Sequence, residues 1–177
     1  MTELHSGESP KIHSIEELLA HAHALEAEAA DRYSLLADQM EAHNNIEVAK
    51  LFRKMAAIEA KHIDKVTKLS EGYELPHISP WDYQWEGEAP EAIDSSAVHY
   101  LMTPHHALKL ALRHERLAAD FFAELVETVD NDDVREMAKQ LAQEEYEHVT
   151  LLEAWLKKVP EPDEDWAEDP DPPSHQE

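Results

Sequence analysis

Apolar side chains recur along this chain at three- and four-residue steps in four long stretches, each bounded by glycine, proline or an asparagine-containing break. That period lays residues along one face of an α-helix; a half-buried strand would alternate instead. The first stripe is Ile15, Leu18, Leu19, Ala22, Ala29, Tyr33, Leu36 and Met40, and the second is Val48, Leu51, Phe52, Met55, Val66 and Leu69. The third is Leu108, Ala111, Leu112, Ala119, Phe122, Leu125 and Val129, and the fourth is Val134, Met137, Leu141, Val149, Leu152 and Leu156.

Start and stop signals agree with these stripes. Ser14 followed by Glu17 is a capping-box pattern, in which each side chain satisfies a free backbone N–H, and it predicts a helix from there to about residue 43. Asn44 and Asn45 break the chain, with Glu47 placed to cap a second helix over about 46–69. Thr103-Pro104, an N-cap residue followed by proline at the first helical position, opens a third helix to about 129. After Asp130-Asn131-Asp132 a fourth runs over about 133–158. Turns this short make two antiparallel helix hairpins, so the chain reads as all-α. The hairpins are joined by a long crossover, 70–102, rich in proline and aromatic residues, with a short helix expected near 95–102.

The expected division is a flexible N-terminus over 1–11, one four-helix domain over 12–159, and an acidic, proline-rich tail over 160–177. The composition of the tail predicts no fixed structure for it, with Trp166 as its one residue suited to docking. A chain of 177 residues suits a single domain with a substantial core.

An internal repeat divides the domain into halves. Glu26 is followed by Ala29, Ala30, Asp31 and the aromatic Tyr33; Glu115 is followed at the same offsets by Ala118, Ala119, Asp120 and the aromatic Phe122. Glu59-x-x-His62 in the second helix matches Glu145-x-x-His148 in the fourth. Each hairpin carries the same parts in the same order, which implies an approximate two-fold relation between them.

The formal charge is −24, with 39 acidic against 15 basic residues. Such a chain repels phosphate backbones and anionic lipid, so neither nucleic acid nor membrane is an expected partner, whereas cations are. There is no cysteine, which excludes disulfides, thiolate metal sites and a cysteine nucleophile; any metal must be held by nitrogen and oxygen. No stretch is apolar for the length of a bilayer and no signal segment is evident, so a cytoplasmic protein is expected.

Against this background four glutamates stand out, because they interrupt apolar stripes. Glu26 and Glu115 lie in the middle of the first and third, and Glu59 and Glu145 lie in the second and fourth, with His62 and His148 one turn beyond on the same face. Ionised carboxylates in a core are costly, by several kcal/mol each even after relaxation, unless positive charge sits among them. Two divalent cations balance four carboxylates, and two neutral imidazoles complete the ligand sets. Carboxylate with imidazole suits iron or manganese, and also zinc, better than copper or calcium.

With Glu26, Glu59-x-x-His62, Glu115 and Glu145-x-x-His148, and with Tyr33 and Phe122 a heptad after the first glutamate of each half, the chain resembles the ferritin-like di-iron carboxylate proteins, and among them the rubrerythrin-like branch. The resemblance covers roughly 12–158. It implies a ferritin-like four-helix bundle binding two iron ions, in which Glu59 and Glu145 bridge, Glu26 and Glu115 are terminal ligands and His62 and His148 each serve one metal. It further implies oxidation of ferrous iron by dioxygen or hydrogen peroxide, with Tyr33 as the candidate catalytic residue, placed to hydrogen-bond a ligand or pass an electron. Two departures from the family are visible. No cysteine-ligated rubredoxin-type module is present, which makes a separate electron donor protein the expected partner, and Ala118 stands where the family has a further glutamate.

Blander readings remain beside this one. Glu28, Glu41, Glu47, Glu124 and Glu136 read as solvent-facing. Glu144 competes with Glu145 for the same role, and Tyr33 can equally be a packed aromatic. His21, His23, His43, His105, His106 and His114 read as surface or helix-end residues, with His114 able to support its neighbour Glu115. The competing functions are an iron-binding or storage protein without turnover and a metal-free structural bundle. A homodimer is the expected assembly.

Overall fold

In the computed structural model, which describes residues 11–84 and 98–170, helix α1 spans Ile15–Ala42, α2 Ile46–Leu69, α3 Pro104–Thr128 and α4 Asp132–Leu156. No strand occurs among the described residues. The expectations for 1–10, for most of the short crossover helix and for 171–177 lie outside the described residues. Within them, 98–103 turn without forming a helix, and a single 3-10 turn, Pro80–Asp82, lies earlier in the crossover.

The caps follow the chemistry of the sequence with two differences. Ser14 Oγ accepts from the Glu17 N–H at 3.1 Å, but the Glu17 carboxylate reaches one residue further back than a capping box requires and takes the His13 N–H at 2.9 Å. At the first hairpin turn Asn44 adopts a left-handed backbone, φ 59°, a conformation that asparagine tolerates better than most residues. The cap of α2 is then Asn45, not Glu47: its Oδ1 accepts from the Val48 N–H, while its Nδ2 donates to the carbonyls of Tyr100 and Met102 at 3.1 and 2.8 Å. One side chain therefore fixes the turn of the first hairpin to the entrance of the second. At α3 the Thr103 N–H donates to His106 Nδ1 at 3.1 Å, so an imidazole fills the place a glutamate usually takes in such a cap. Asn131 Oδ1 caps α4, accepting from the N–H groups of Asp133 and Val134. Arg135 reaches back to the carbonyls of Val126 and Val129, which α3 leaves free at its end.

Helix α1 packs along α2 and α3 along α4, and the hairpins meet through α2 with α3 and α1 with α4. The predicted stripes form the interior. Tyr33, Phe52, Phe122, Leu108, Leu125, Val48 and Val134 are all fully buried. This interior divides into two apolar clusters. One, around Tyr33, Phe52, Met55, Met102 and Leu108, fills the end where α1 turns into α2 and α3 begins. The other, around Leu18, Leu25, Phe121, Phe122, Leu125 and Leu141, fills the opposite end.

The tail is more ordered than its composition suggested. Trp166 packs against the first cluster, its ring 3.9 Å from that of His106 and edge-on to His99 at 5.4 Å, and the Tyr100 hydroxyl donates to Asp169 at 2.7 Å. The Trp166 indole and the Asp169 hydrogen bond tie 160–170 to the bundle, and backbone bonds from Trp166 to Asp163 and from Glu168 to Asp165 turn the segment itself.

Candidate metal centre

Mid-helix carboxylates are what separate the two apolar clusters. Glu26 and Glu115 are 4% exposed, Glu59 and Glu145 2%, a degree of burial that charged side chains reach only with partners. Each helix presents its glutamate from within an apolar stripe, so the burial follows from the same periodicity that folds the helix.

The side chains assemble into two groups, Glu26 with Glu59 and His62, and Glu115 with Glu145 and His148, and each has one ligand atom per residue within 4.8 Å of the others. The groups are near copies. His62 Nδ1 lies 3.4 Å from Glu26 Oε2 and 3.3 Å from Glu59 Oε2; His148 Nδ1 lies 3.4 Å from Glu115 Oε2 and 3.2 Å from Glu145 Oε2. Between them the imidazoles of His62 and His148 stack at 3.9 Å with planes 5° apart. The internal repeat is thus a repeat of geometry as well as of sequence.

Burial and mutual repulsion govern the ionisation of these groups. Burial first, and hydrogen bonding and repulsion from Glu59 second, push the Glu26 carboxyl from its ordinary 4.5 up to about 9. Burial also raises Glu59 and Glu145. Glu115 moves the other way, to about 2, because hydrogen bonds from His148 and Glu145 outweigh its desolvation. His148 rises to about 10, its desolvation overcome by Glu115 and Glu145. Shifts in these directions belong to a cluster whose four acids cannot all ionise without positive charge among them.

The six predicted ligand candidates are therefore together. Glu144, the competitor of Glu145, is turned away to an ion pair with Lys65 at 2.8 Å. Tyr33 lies beside the site: its ring packs on Phe52 at 6.1 Å and edge-on to His114 at 6.2 Å, and its hydroxyl is buried without a hydrogen-bond partner. Burial raises its pKa well above the ordinary 10.0, with Glu115 and Glu59 adding to the effect.

Some expected surface residues are not at the surface. His21 is 4% exposed, its Nδ1 2.7 Å from the Glu17 carbonyl and its ring between Tyr83 and Phe121; burial lowers its pKa. Glu28 is half-buried, whereas Glu41, Glu47, Glu124 and Glu136 are exposed as expected. His114 is also half-buried, with Nδ1 3.4 Å from a guanidinium nitrogen of Arg32, and burial lowers it to about 4. The Arg32–His114 pair was not visible in the sequence: it joins α1 to α3 across 82 residues, and no local spacing marks it.

No helix among the described residues is long and apolar enough to cross a membrane. A crystal structure at 2.00 Å of an uncharacterized conserved protein from Magnetospirillum magnetotacticum MS-1 is similar, with a TM-score of 0.65 and 41% identity over 85% of this chain and 99% of that one. No curated protein matches significantly. The family model for rubrerythrin matches residues 17–156, which takes in both groups of ligand candidates and most of every helix, and the chain belongs to the rubrerythrin family.

Proposed function

We propose that this protein is a rubrerythrin-like di-iron oxidoreductase, which binds two ferrous ions and oxidises them with dioxygen or hydrogen peroxide. The observation that carries this reading is the pair of near-identical Glu, Glu, His groups at the centre of the bundle, with 3.2–3.4 Å contacts repeated in each half. The donor set fits the metal: four carboxylate and two imidazole ligands suit iron, with manganese and zinc as chemically allowed substitutes, and two divalent ions cancel the charge of four carboxylates.

In this reading the metal pair would be held by Glu59 and Glu145 as bridging carboxylates, Glu26 and Glu115 as terminal ligands and His62 and His148 as one ligand for each metal. Two ferrous ions held there would supply one electron each, enough with two protons to convert one hydrogen peroxide to two waters. The chain's own contribution is to hold ligands and exclude water. Glu59 and His62, and likewise Glu145 and His148, share a helix face through their three-residue step, so the helix backbone sets their separation. Met55 and Phe52 belong to the apolar cluster at one end of the bundle and Leu25 to the cluster at the other, and all three are buried. Tyr33, whose buried hydroxyl has no hydrogen-bond partner, would hydrogen-bond a small ligand at the centre. Return of electrons to the site falls to a separate donor protein.

Anaerobic ferrous titration with elemental analysis, followed by rapid mixing with peroxide, tests this. Two irons per chain and fast, stoichiometric peroxide consumption are expected, and both are lost in Glu59→Ala and His148→Ala. Iron accumulating far beyond two per chain would favour storage instead. Metal uptake that the two substitutions leave untouched would leave only a structural bundle.

A further inference from the structure

Of the six ligand candidates, the two imidazoles are the ones that reach water. The side chains of His62 and His148 are 16% and 22% exposed, against 5% or less for the four glutamates, so a cation arriving from solvent meets the rings first. The rings belong to a row of side chains that bridges α2 and α4: Lys54 over the Trp155 ring at 4.0 Å, His62 stacked on His148 at 3.9 Å, and Lys65 paired with Glu144 at 2.8 Å. Lys65 lies one turn past His62 and Glu144 one turn before His148, a spacing that sets Cβ atoms about 5–6 Å apart, so the ion pair borders the imidazole pair.

The approximate two-fold fails along this row. The register that sets Glu59 on Glu145 also sets Ile58 on Glu144 and Lys65 on Leu151. On the far side of the imidazoles the equivalent places are therefore held by Ile58, half-buried, and Leu151, exposed. One approach to the rings is polar and the other is apolar.

From this asymmetry we infer that divalent cations reach the centre past the Lys65–Glu144 ion pair: Glu144 captures the incoming ion as the Lys65 ammonium swings away, and passes it to the imidazoles. The inference rests on the di-metal reading above and adds to it the route of entry. A dication shedding its hydration shell needs oxygen or nitrogen ligands at each stage, which Glu144 offers and Ile58 and Leu151 do not. An ion pair made by an exposed lysine on a long flexible stem is weakly held, so an ion of double charge displaces it. The net charge of −24 draws cations to the surface where this exchange takes place. Lys65 then reclaims Glu144 once the ion has moved on, which keeps this carboxylate out of the final ligand set.

Stopped-flow mixing of cobalt(II) with the metal-free full-length protein, followed by the visible bands of the bound ion, tests the route together with release of cobalt into excess chelator. A residue that acts on the path alone changes entry and exit by the same factor and leaves their ratio, Kd, where it was. Glu144→Gln is expected to slow both by about fivefold or more, with two cobalt ions still bound per chain at unchanged Kd. Lys65→Gln, which frees the carboxylate, should speed uptake by about threefold or more. Glu136→Gln and Lys139→Gln make the same charge changes in an exposed pair elsewhere on α4, and should shift uptake by less than about twofold. Uptake by Glu144→Gln no slower than by Glu136→Gln, or by Lys65→Gln no faster than by Lys139→Gln, overturns the route while the metal reading stands. Weaker affinity with faster release in Glu144→Gln also overturns it, because Glu144 would then be a ligand of the loaded site. Failure of the parent protein to take up cobalt overturns both. Circular dichroism of each metal-free variant before mixing separates a slowed entry from a lost fold, and slow uptake found only in unfolded protein counts against the route.

Discussion

Replacing Glu26 by glutamine should make the metal-free protein more stable at neutral pH, although the residue belongs to the best-formed part of the core. Glu26 is 4% exposed and its carboxyl is raised from 4.5 to about 9, mainly by desolvation. A carboxyl shifted upward keeps its proton in the folded chain after the unfolded chain has released it. Below 4.5 both states are protonated and burial carries no pH-dependent cost; as pH rises toward 9 the cost grows, and it is complete above that. At pH 7 the unfolded chain lies 2.5 units past its midpoint, which at 1.36 kcal/mol per unit amounts to about 3 kcal/mol, an upper figure because Glu59 and Glu145 share the same protons. Glutamine is the neutral isostere and escapes this cost. For a domain of this length about 3 kcal/mol corresponds to roughly 6–12 °C in Tm. Thermal unfolding followed by circular dichroism, in chelator, should show the variant melting above the parent at pH 7 and the two converging near pH 4.5. Added divalent metal should reverse the order, because the parent then gains an anionic ligand that the variant lacks. Equal melting points at pH 7, or equal gains from metal, would refute the claim that burial of charge governs this site.

Other perturbations follow from the same contacts. Metal binding must displace the protons that Glu26, Glu59 and Glu145 hold, so calorimetric titration in buffers of different ionisation enthalpy should show proton release, larger at pH 6 than at pH 9. Phe52→Ala, at a fully buried position in the cluster beside Tyr33, should cost about 3–5 kcal/mol in urea unfolding, with iron stoichiometry kept in the fraction that folds. Asn45→Ala removes the α2 cap and both bonds to the crossover, and should cost about 1–3 kcal/mol while raising hydrogen exchange around Met102.

The helices were legible because periodicity is a local property: most of each of the four stripes became core, while Ile15, Leu51, Leu69, Met137 and Leu156 are partly buried against it. The ligand candidates were legible for the converse reason, since glutamates at positions 26, 59, 115 and 145 contradict the stripes they sit in, and the contradiction is resolved only by bringing them together. What escaped depends on contacts between distant segments. His21 lies on the face that meets the crossover, so its burial required knowing where Tyr83 goes. Composition marked the tail as unstructured, but contacts with distant residues, among them Trp166 with His106 and Tyr100 with Asp169, tie it to the bundle. Glu144 and Glu145 were hard to separate because adjacent helical positions differ by only about 100° in facing, and the Lys65 ion pair on Glu144 settles which one turns inward.

Because every hairpin brings a complete Glu, Glu, His triplet, the centre needs one hairpin of each kind but does not require both to come from the same polypeptide. Two molecules that exchanged their second hairpins through an opened crossover would rebuild two centres of unchanged composition. The bond from Asn45 to Met102 is one of the contacts such an exchange would have to re-form between chains. Duplicated architecture would thus let hairpins be traded one for one with the ligand sets intact.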